Sequence, residues 1–359
     1  MSEPGPPRRR RRMILPAVAA AVTVAVSVAV AFAAGAPPSR HPVACGGPRS
    51  PGALERAIDP ALVDVDVDLA GGHGFAAGTG MVLTATGEVL TNNHVIDGAS
   101  AITAVDVGNH RRYRVRVVGY DVGADAALLQ LEGARHLRWV SFGDSGALTV
   151  GTPVAVIGNA GGAGGTPSCS TGRVTGLHRT VTASEESSGL SERLTDLIRT
   201  DAPVLFGESG GPLVVAGAAV VGMVTATTGE GAGAGGGYAI PAARARAVAE
   251  RIEHGRASPQ VHIGPTASLG VQVEALPSTG PSRQVVVVLA VPEAGGAHAA
   301  GLRPGDVLLS LDGRAVTSPF GLQLLLQRHR PGTPARVTWR DGYGRTRTAT
   351  LILVTGPPA

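Results

Sequence analysis

Short apolar runs at close spacing constrain the fold of this chain more than any other feature. Residues 63–69 alternate valine or leucine with aspartate, which is the two-residue period of a strand that buries one face. Comparable runs follow as far as Leu131, and a second set extends from Pro153 to Ile240, with Gly, Asp or Asn between them. Such spacing is typical of all-β barrels and sandwiches, so we predict a mostly β fold with two small barrels.

Two further segments differ from this pattern of short strands. Residues 180–194 are polar and rich in Ser and Glu, and we expect them to form a flexible loop within the second set. Residues 242–254 carry alanines and arginines, with Val248 and Ile252 four positions apart, which predicts a helix that closes the second barrel.

The amino terminus predicts export from the cytoplasm. Five arginines, Arg8 to Arg12, precede the uncharged apolar residues 13–34, and about 20 apolar residues suffice for a helix to span a bilayer. We therefore expect residues 1–12 to be a cytoplasmic basic tail. Residues 13–34 are a transmembrane anchor, which we favour, or a signal peptide, since Ala31-Phe32-Ala33 fits a small-x-small cleavage pattern. Residues 35–52, rich in Pro and Gly, are expected to be a flexible linker.

The charge and the cysteine content limit the partners and sites that we expect. The formal net charge of +4 comes from the arginine block, so the rest of the chain is near neutral and we expect no nucleic-acid partner. Cys45 and Cys169 are the two cysteines, and both would lie on the exported side, where a disulfide persists. A disulfide between them and two free thiols both remain open. Neither cysteine stands in a pattern that predicts a metal site.

A serine among glycines is the strongest chemical signal. Residues 206–213 read Phe-Gly-Glu-Ser-Gly-Gly-Pro-Leu. Glycines on both sides let the backbone approach a substrate closely, and the N–H groups of Gly207 and Ser209 could converge on one anionic oxygen. The pattern indicates a nucleophile at Ser209, although a glycine-rich turn would produce the same letters.

A nucleophilic serine needs a base and a group that orients the base. His94 ends an apolar run beside a turn, where a ring is held but reachable, and Asp125 stands directly before the apolar run 126–131. Asp121, in the same block, is the alternative acid and more typical of a turn. The order His94, Asp125, Ser209 and the β-like run after the serine disfavour an α/β-hydrolase, in which the serine comes first and precedes a helix.

Seven motifs occur in a fixed order along the chain: Gly78-Thr79-Gly80, Leu90-Thr91-Asn92-Asn93-His94-Val95, residues 121–129, Gly158-Asn159-Ala160, Thr200-Asp201-Ala202, residues 207–213 and Gly237-Tyr238-Ala239-Ile240-Pro241. They give the chain, from about residue 62 to residue 240, a resemblance to the protease domain of the HtrA family of chymotrypsin-fold serine proteases. It implies two six-stranded barrels over residues 53–254. It also implies a triad of His94, Asp125 and Ser209, with an oxyanion hole at Gly207, Glu208 and Ser209. The family usually has Asn where this chain has Glu208.

The same resemblance predicts which substrate side chains the pocket accepts. Trypsin-like preference for a basic residue rests on an acid six positions before the nucleophile, where this chain has Pro203. We therefore expect small or medium apolar residues before the scissile bond, in a pocket shaped by Thr225, Ala226, Thr227 and Thr228. The resemblance implies neither a metal nor a cofactor.

Residues 266–355 resemble the PDZ domain that follows HtrA protease domains. Ser268-Leu269-Gly270-Val271, the run Ala300-Gly301-Leu302-Arg303-Pro304-Gly305-Asp306, and Leu311-Asp312-Gly313 carry the resemblance. It implies a small α+β domain, joined by a linker at 255–265, that binds peptide C-termini as an added strand. The amides of Leu269, Gly270 and Val271 would receive the terminal carboxylate.

The resemblance predicts an extracytoplasmic, membrane-associated serine endopeptidase that degrades misfolded or damaged proteins, with its PDZ domain recruiting substrates or regulating activity. Two alternatives remain open. One is a PDZ scaffold or chaperone-like protein with a silent protease site, and the other is a dedicated signalling protease. Family members are often trimers, so a homotrimer is a further expectation.

Overall fold

The computed structural model describes residues 52–69, 74–185, 190–227, 236–258, 260–277, 284–293 and 295–358. The basic tail, the apolar segment 13–34 and all of the first predicted linker except Gly52 lie outside these ranges. Within the described ranges, no helix is both long and apolar enough to cross a bilayer.

The first barrel is a closed ring of six strands. After a short helix α1 (Gly52–Ile58), the chain forms β1 (Leu62–Leu69), β2 (Phe75–Val82), β3 (Glu88–Thr91), helix α2 (Asn93–Ile96), β4 (Ala99–Asp106), β5 (Arg112–Asp121) and β6 (Ala126–Leu131). The strands follow the order β5-β4-β1-β2-β3-β6, and β6 pairs back with β5. The valines of β1 are buried in the barrel core, as the period of two predicts.

Acidic residues of β1 differ from one another in burial. Asp64 is buried like its valine neighbours, and its Oδ2 accepts the N–H of Gly165 at 3.1 Å. Burial raises the pKa of Asp64 to about 6. Asp66 is half-buried and Asp68 is exposed, so the outer face of β1 becomes more open toward its carboxyl end.

The second barrel has seven strands in one sheet. They are β7 (Ser141–Phe142), β8 (Pro153–Gly158), β9 (Ser168–Glu185), β10 (Leu190–Thr200), β11 (Pro212–Val215), β12 (Ala219–Thr227) and β13 (Gly237–Pro241). The order is β11-β8-β9-β10-β13-β12-β7, and β11 also pairs with β12. The predicted loop at 180–194 is wrong for most of its length, because residues 181–185 and 190–194 pair as the end of the β9–β10 hairpin.

Helix α3 (Ala242–Glu253) is the predicted closing helix. Its buried residues recur three and four apart, which places one apolar stripe against β5, β6 and β12: Ala242, Ala245, Val248, Ala249 and Ile252. The helix thus joins the two barrels. A mostly β, chymotrypsin-like fold is confirmed.

The carboxyl-terminal domain has its own core. It comprises β15 (Thr266–Ser268), β16 (Gln272–Pro277), β17 (Gln284–Ala290), α4 (Gly296–Ala299), β18 (Val307–Leu311), β19 (Arg314–Ala315), α5 (Pro319–Leu326), β20 (Pro334–Arg340), β21 (Thr346–Ile352) and β22 (Val354–Gly356). The main sheet has the order β16-β17-β18-β20-β21, so β16 is an edge strand, and α5 lies against it. This is the predicted small α+β domain.

The connection between the two parts is structured. Val261–Ile263 form strand β14, which pairs with β5 of the first barrel, so the predicted linker 255–265 is wrong for these residues. The Tyr120 hydroxyl also lies 3.0 Å from the hydroxyl of Thr266. Strand pairing and a hydroxyl contact therefore fix the start of the domain to the first barrel.

Candidate active site

Asp125 lies at the lip of β6 in a conformation that the preceding turn imposes. The Asp121 carboxylate accepts the N–H of Ala124 at 3.0 Å and caps a short turn over residues 122–124. Asp125 then takes a left-handed conformation, with φ of 48°, and turns its side chain inward, where 1% of the residue is exposed. Asp121 is therefore the turn residue of the pair, and Asp125 is the buried acid.

His94 meets this buried carboxylate. Its Nδ1 lies 2.9 Å from Oδ2 and 3.1 Å from Oδ1 of Asp125, and its backbone N–H donates to Oδ1 at 3.0 Å. The side-chain amide of Asn92 donates to the Asp125 carbonyl oxygen at 2.9 Å, which ties β3 to the acid as well. The imidazole is 43% exposed, so the ring is held at one edge and open at the other.

A third donor comes from the second barrel. The hydroxyl of Thr225 on β12 donates to Oδ2 of Asp125. An ionised carboxylate can be buried only when donors replace the water that it loses. Asp125 thus has donors from both barrels, and Thr225, which we predict to shape the substrate pocket, also binds the acid.

The Ser209 loop lies between the barrels and depends on glycine. Gly207 and Gly210 have φ of +87° and +84°, which side chains other than glycine rarely adopt. A Cβ on Gly210 would also stand 2.1 Å from the Thr79 carbonyl oxygen. The N–H of Gly210 donates to the Val224 carbonyl on β12 at 2.9 Å, while the Ser209 carbonyl accepts the N–H of Thr79 on β2 at 2.8 Å.

Gly78 shows how near the serine loop lies to the histidine helix. A Cβ at this position would stand 2.7 Å from Cγ1 of Val95 and 3.2 Å from the Ser209 carbonyl oxygen. A side chain at position 78 would therefore meet both the neighbour of His94 and the backbone of Ser209. The helix of the predicted base and the loop of the predicted nucleophile approach each other at this point of β2.

Thr79 makes more hydrogen bonds within the site than its motif predicts. Its hydroxyl donates to the Gly207 carbonyl at 2.8 Å and accepts the N–H of Asn159 at 2.9 Å, and its own carbonyl accepts the Thr91 hydroxyl at 2.7 Å. Through its side chain and its backbone, this one buried residue thereby connects the serine loop, the end of β8 and the strand before His94. The Gly-Thr-Gly motif pointed to this position, but it carried no indication of these partners.

The predicted oxyanion amides are held by a buried acid. Glu208 is fully buried, with Oε2 accepting the N–H of Leu205 at 2.6 Å and Oε1 lying 2.5 Å from the Ser168 hydroxyl. Within the described residues, the N–H groups of Gly207 and Ser209 have no intramolecular acceptor. The loop is thus closed on its inner side, and the two amides stay available to an incoming oxygen.

The remaining predicted site residues lie apart or outside the described ranges. Ala226 and Thr227 belong to β12, but their side chains and all of Thr228 are not described. Cys169 on β9 is disulfide-bonded, while Cys45, for which a disulfide to Cys169 and a free thiol were both open, lies outside the described residues. No cluster of three or more potential metal ligands occurs in the described part of the chain.

The predicted peptide site lies on the carboxyl-terminal domain. Leu269 is buried, Gly270 has φ of +69°, and the Gly270 N–H donates to the Ser268 hydroxyl at 3.0 Å. This loop leads directly into the edge strand β16, opposite α5. An exposed edge beside a helix is the arrangement to which an extended peptide can be added.

Comparisons with known proteins identify the two domains of the chain. Residues 78–223 match the family model of the trypsin-like peptidase domain, and residues 267–351 match that of the PDZ domain. The serine protease PepD of Mycobacterium tuberculosis is 34% identical over 344 residues, which cover 88% of this chain and 70% of PepD.

Further relatives are larger. The periplasmic serine endoprotease DegP of Salmonella typhimurium is 33% identical over 252 residues, or 68% of this chain, which spans only 50% of DegP. Among solved structures, a variant of the HtrA-type protease AlgW with a tripeptide has a TM-score of 0.50 at 27% identity, covering 85% of this chain and 97% of that one.

Replacing Glu208 with alanine should loosen the serine loop. The Leu205 N–H loses its acceptor, and a group left unpaired costs about 1–3 kcal/mol, whereas the Ser168 hydroxyl can still donate to the Gly158 carbonyl 2.9 Å away. We expect the free energy of unfolding to fall by about 1–3 kcal/mol, since one group is left unpaired. We expect kcat/KM to fall by at least about tenfold because both oxyanion amides flank this residue. Denaturant titration and peptide hydrolysis measure the two effects.

The Glu208→Gln variant is the matched control. Its amide oxygen can accept from Leu205, and its NH2 can donate to Ser168, whose hydroxyl can donate to the Gly158 carbonyl 2.9 Å away. Burial raises the pKa of Glu208 above its usual 4.5, so wild-type stability decreases as pH rises through the raised value. The glutamine side chain has no proton to lose, so the stability of this variant relative to wild type should increase with pH, whereas exposed Glu132→Gln should show no such trend. A Gln variant as damaged as the Ala variant at every pH would contradict this role.

Proposed function

Because the chain belongs to the HtrA family of serine proteases, we propose that it is an extracytoplasmic serine endopeptidase whose catalytic triad is Ser209, His94 and Asp125. The contact between His94 Nδ1 and the buried Asp125 carboxylate carries this proposal. It holds the ring in the tautomer that leaves Nε2 for proton exchange with the serine hydroxyl. The exposed edge of the ring is where a substrate would arrive.

Hydrolysis would then proceed in two halves. His94 accepts the Ser209 proton as the hydroxyl oxygen attacks the peptide carbonyl, and it returns that proton to the departing amine. The Asp125 carboxylate stabilises the imidazolium that forms between these steps. Water, activated by His94, attacks the resulting acyl-enzyme and frees the serine. The N–H groups of Gly207 and Ser209 stabilise the negative oxygen in both tetrahedral intermediates.

We further propose that substrates are misfolded or damaged proteins outside the cytoplasm. The apolar segment 13–34 after the arginine block supports export and attachment to the membrane. Pro203, at the position where a basic specificity would need an acid, supports cleavage after small or medium apolar residues. Chains that expose apolar segments are the proteins that have lost their fold.

The carboxyl-terminal domain is proposed to recruit substrates or regulate activity. Two contacts support communication with the catalytic centre. The side-chain amide of Gln323 on α5 donates to Oδ1 of Asp97 at 3.2 Å, and the Gly98 N–H donates to the Pro358 carbonyl at 3.0 Å. Asp97 and Gly98 directly follow the helix that carries His94. A peptide bound between β16 and α5 would therefore act close to the base.

The Ser209→Ala variant tests the proposed activity. It removes the nucleophile and leaves the fold, so hydrolysis of unfolded casein should fall by about 10⁴-fold or more, as expected when a triad serine is lost. Wild-type and variant proteins with equal melting temperatures make the comparison valid. Degradation by the variant at the wild-type rate would contradict the assignment.

Peptide binding tests the role proposed for the second domain. A peptide with an apolar residue and a free carboxylate at its C-terminus should bind at least about tenfold more tightly than the same peptide amidated, since the loop amides recognise the charge. The Gln323→Ala variant should keep this binding but lose any effect of the peptide on casein hydrolysis. Equal affinities for the two peptides, measured by calorimetry, would contradict recognition of the terminus.

A further inference from the structure

We propose that a groove beside the Ser209 loop selects substrates by the residues that follow the scissile bond. This inference rests on the proposed protease function and adds a determinant of specificity to it. The groove, called here the leaving-group groove, has a volume of about 440 Å³ and is walled by Phe75 and Phe206, with Ala77, Gly162, Asp66 and Asp68 along it.

The first barrel builds the floor and one wall of this groove. In the β1–β2 pair, Asp66 lies opposite Ala77, and Asp68 lies opposite Phe75. Residues opposite each other in an antiparallel pair share a face, and residues two apart along a strand share it as well. These four residues therefore form one outer patch, while Val65 and Val67 between them are buried on the inner face.

The other wall belongs to the serine loop itself. Phe206 directly precedes Gly207, and its carbonyl oxygen accepts the N–H of Gly161 at 2.6 Å. A Cβ on Gly162 would stand 2.6 Å from the Cβ of Ala77, so the turn after β8, to which Phe206 is bonded through Gly161, packs on β2 along the groove. The groove thus starts one residue from a proposed oxyanion amide.

Position relative to the serine identifies the half of the substrate that the groove receives. Ser209 and Gly210 are bonded on one side to β2, through Thr79, and on the other side to β12, through Val224. The family resemblance predicts the pocket for the acyl half at the end of β12, beside Thr225. An extended substrate that crosses Ser209 from β12 continues toward β2, so the segment after the scissile bond reaches the groove.

The walls indicate what side chains fit. Phe75 and Phe206 are 67% and 52% exposed, and two large apolar side chains facing one concave surface mark a binding site more than scattered exposure does. Arg112 also lines the groove and is paired with Asp66 at 2.7 Å, whereas Asp68 has no ion-pair partner among the described residues. Because the pair leaves the Asp68 carboxylate as the uncompensated charge, the groove fits a large apolar side chain, preferably with a basic residue next to Asp68.

Paired quenched peptides test this selectivity in the full chain. Each pair shares the residues before the scissile bond and differs by Phe or Ala at one of the first three positions after it. Wild type should prefer Phe by about tenfold in kcat/KM at one of these positions, given the apolar area that an aromatic ring buries. Because the readout is a ratio within each protein, changes in basal activity cancel.

The variants assign that preference to the groove. Phe75→Ala and Phe206→Ala should each reduce the Phe-to-Ala ratio to about threefold or less, as expected when about half of the apolar walls is removed. Exposed Trp139→Ala, which removes a similar ring outside the groove, should keep the ratio. Asp68→Asn should halve the preference for Arg over Gln at the position next to the apolar residue, and salt should diminish that preference in wild type.

The outcomes separate this inference from the proposed function. Serine-dependent cleavage with no Phe preference, or with a preference that survives both phenylalanine variants, would overturn the groove and leave the protease intact. Absence of any cleavage that depends on Ser209 would overturn the proposed function itself.

Discussion

Burial of the Asp125 carboxylate between two barrels is the constraint on which the candidate site depends. A buried charge without partners is too costly to keep, and the donors come from different parts of the chain. His94 provides two of them from the first barrel and Thr225 provides the third from the second. The acid is therefore satisfied only when the barrels are docked, and the same docking brings the Ser209 loop against β2. Assembly of the fold and assembly of the site are one event.

Two buried residues, which a substrate cannot contact, stabilise the serine loop. Thr79 holds it through its backbone N–H and its hydroxyl, and Glu208 holds it through Leu205 and Ser168. Both residues are buried, so neither competes with substrate for the amides at Gly207 and Ser209. A buried glutamate at this position carries an electrostatic cost, which explains why its own carboxylate oxygens are so closely bonded. These hydrogen bonds hold the serine loop without any contact to a substrate.

The sequence predicted the residue types of the site better than their partners. The histidine, acid and serine stand in short motifs whose order and strand context are readable, and the period of two in β1 located a barrel wall. Thr225 could not be assigned to Asp125, because 100 residues separate them and no spacing rule links a threonine hydroxyl to a distant carboxylate. The long β9–β10 hairpin was missed for a related reason: strand pairing supplies the stability that its polar composition does not indicate.

The position of the second domain also could not be predicted from the sequence. Its motifs identified the fold, but strand β14 and the contact between Gln323 and Asp97 depend on surfaces that only the folded barrel creates. These contacts bring a candidate peptide groove near the turn after His94. Regulation through this route requires no rearrangement of the barrels, because the bonded groups already touch the helix of the base.

Covalent capture of the nucleophile is the most direct test of an assembled triad at rest. The full chain, without any added peptide, would be treated with a serine-reactive phosphonate, and the modified residue would be located by mass spectrometry. A single adduct on Ser209 that disappears in His94→Ala and Asp125→Ala variants is the predicted result. An unmodified Ser209 in the wild-type chain, or an adduct that forms only after a peptide binds the PDZ domain, would contradict it.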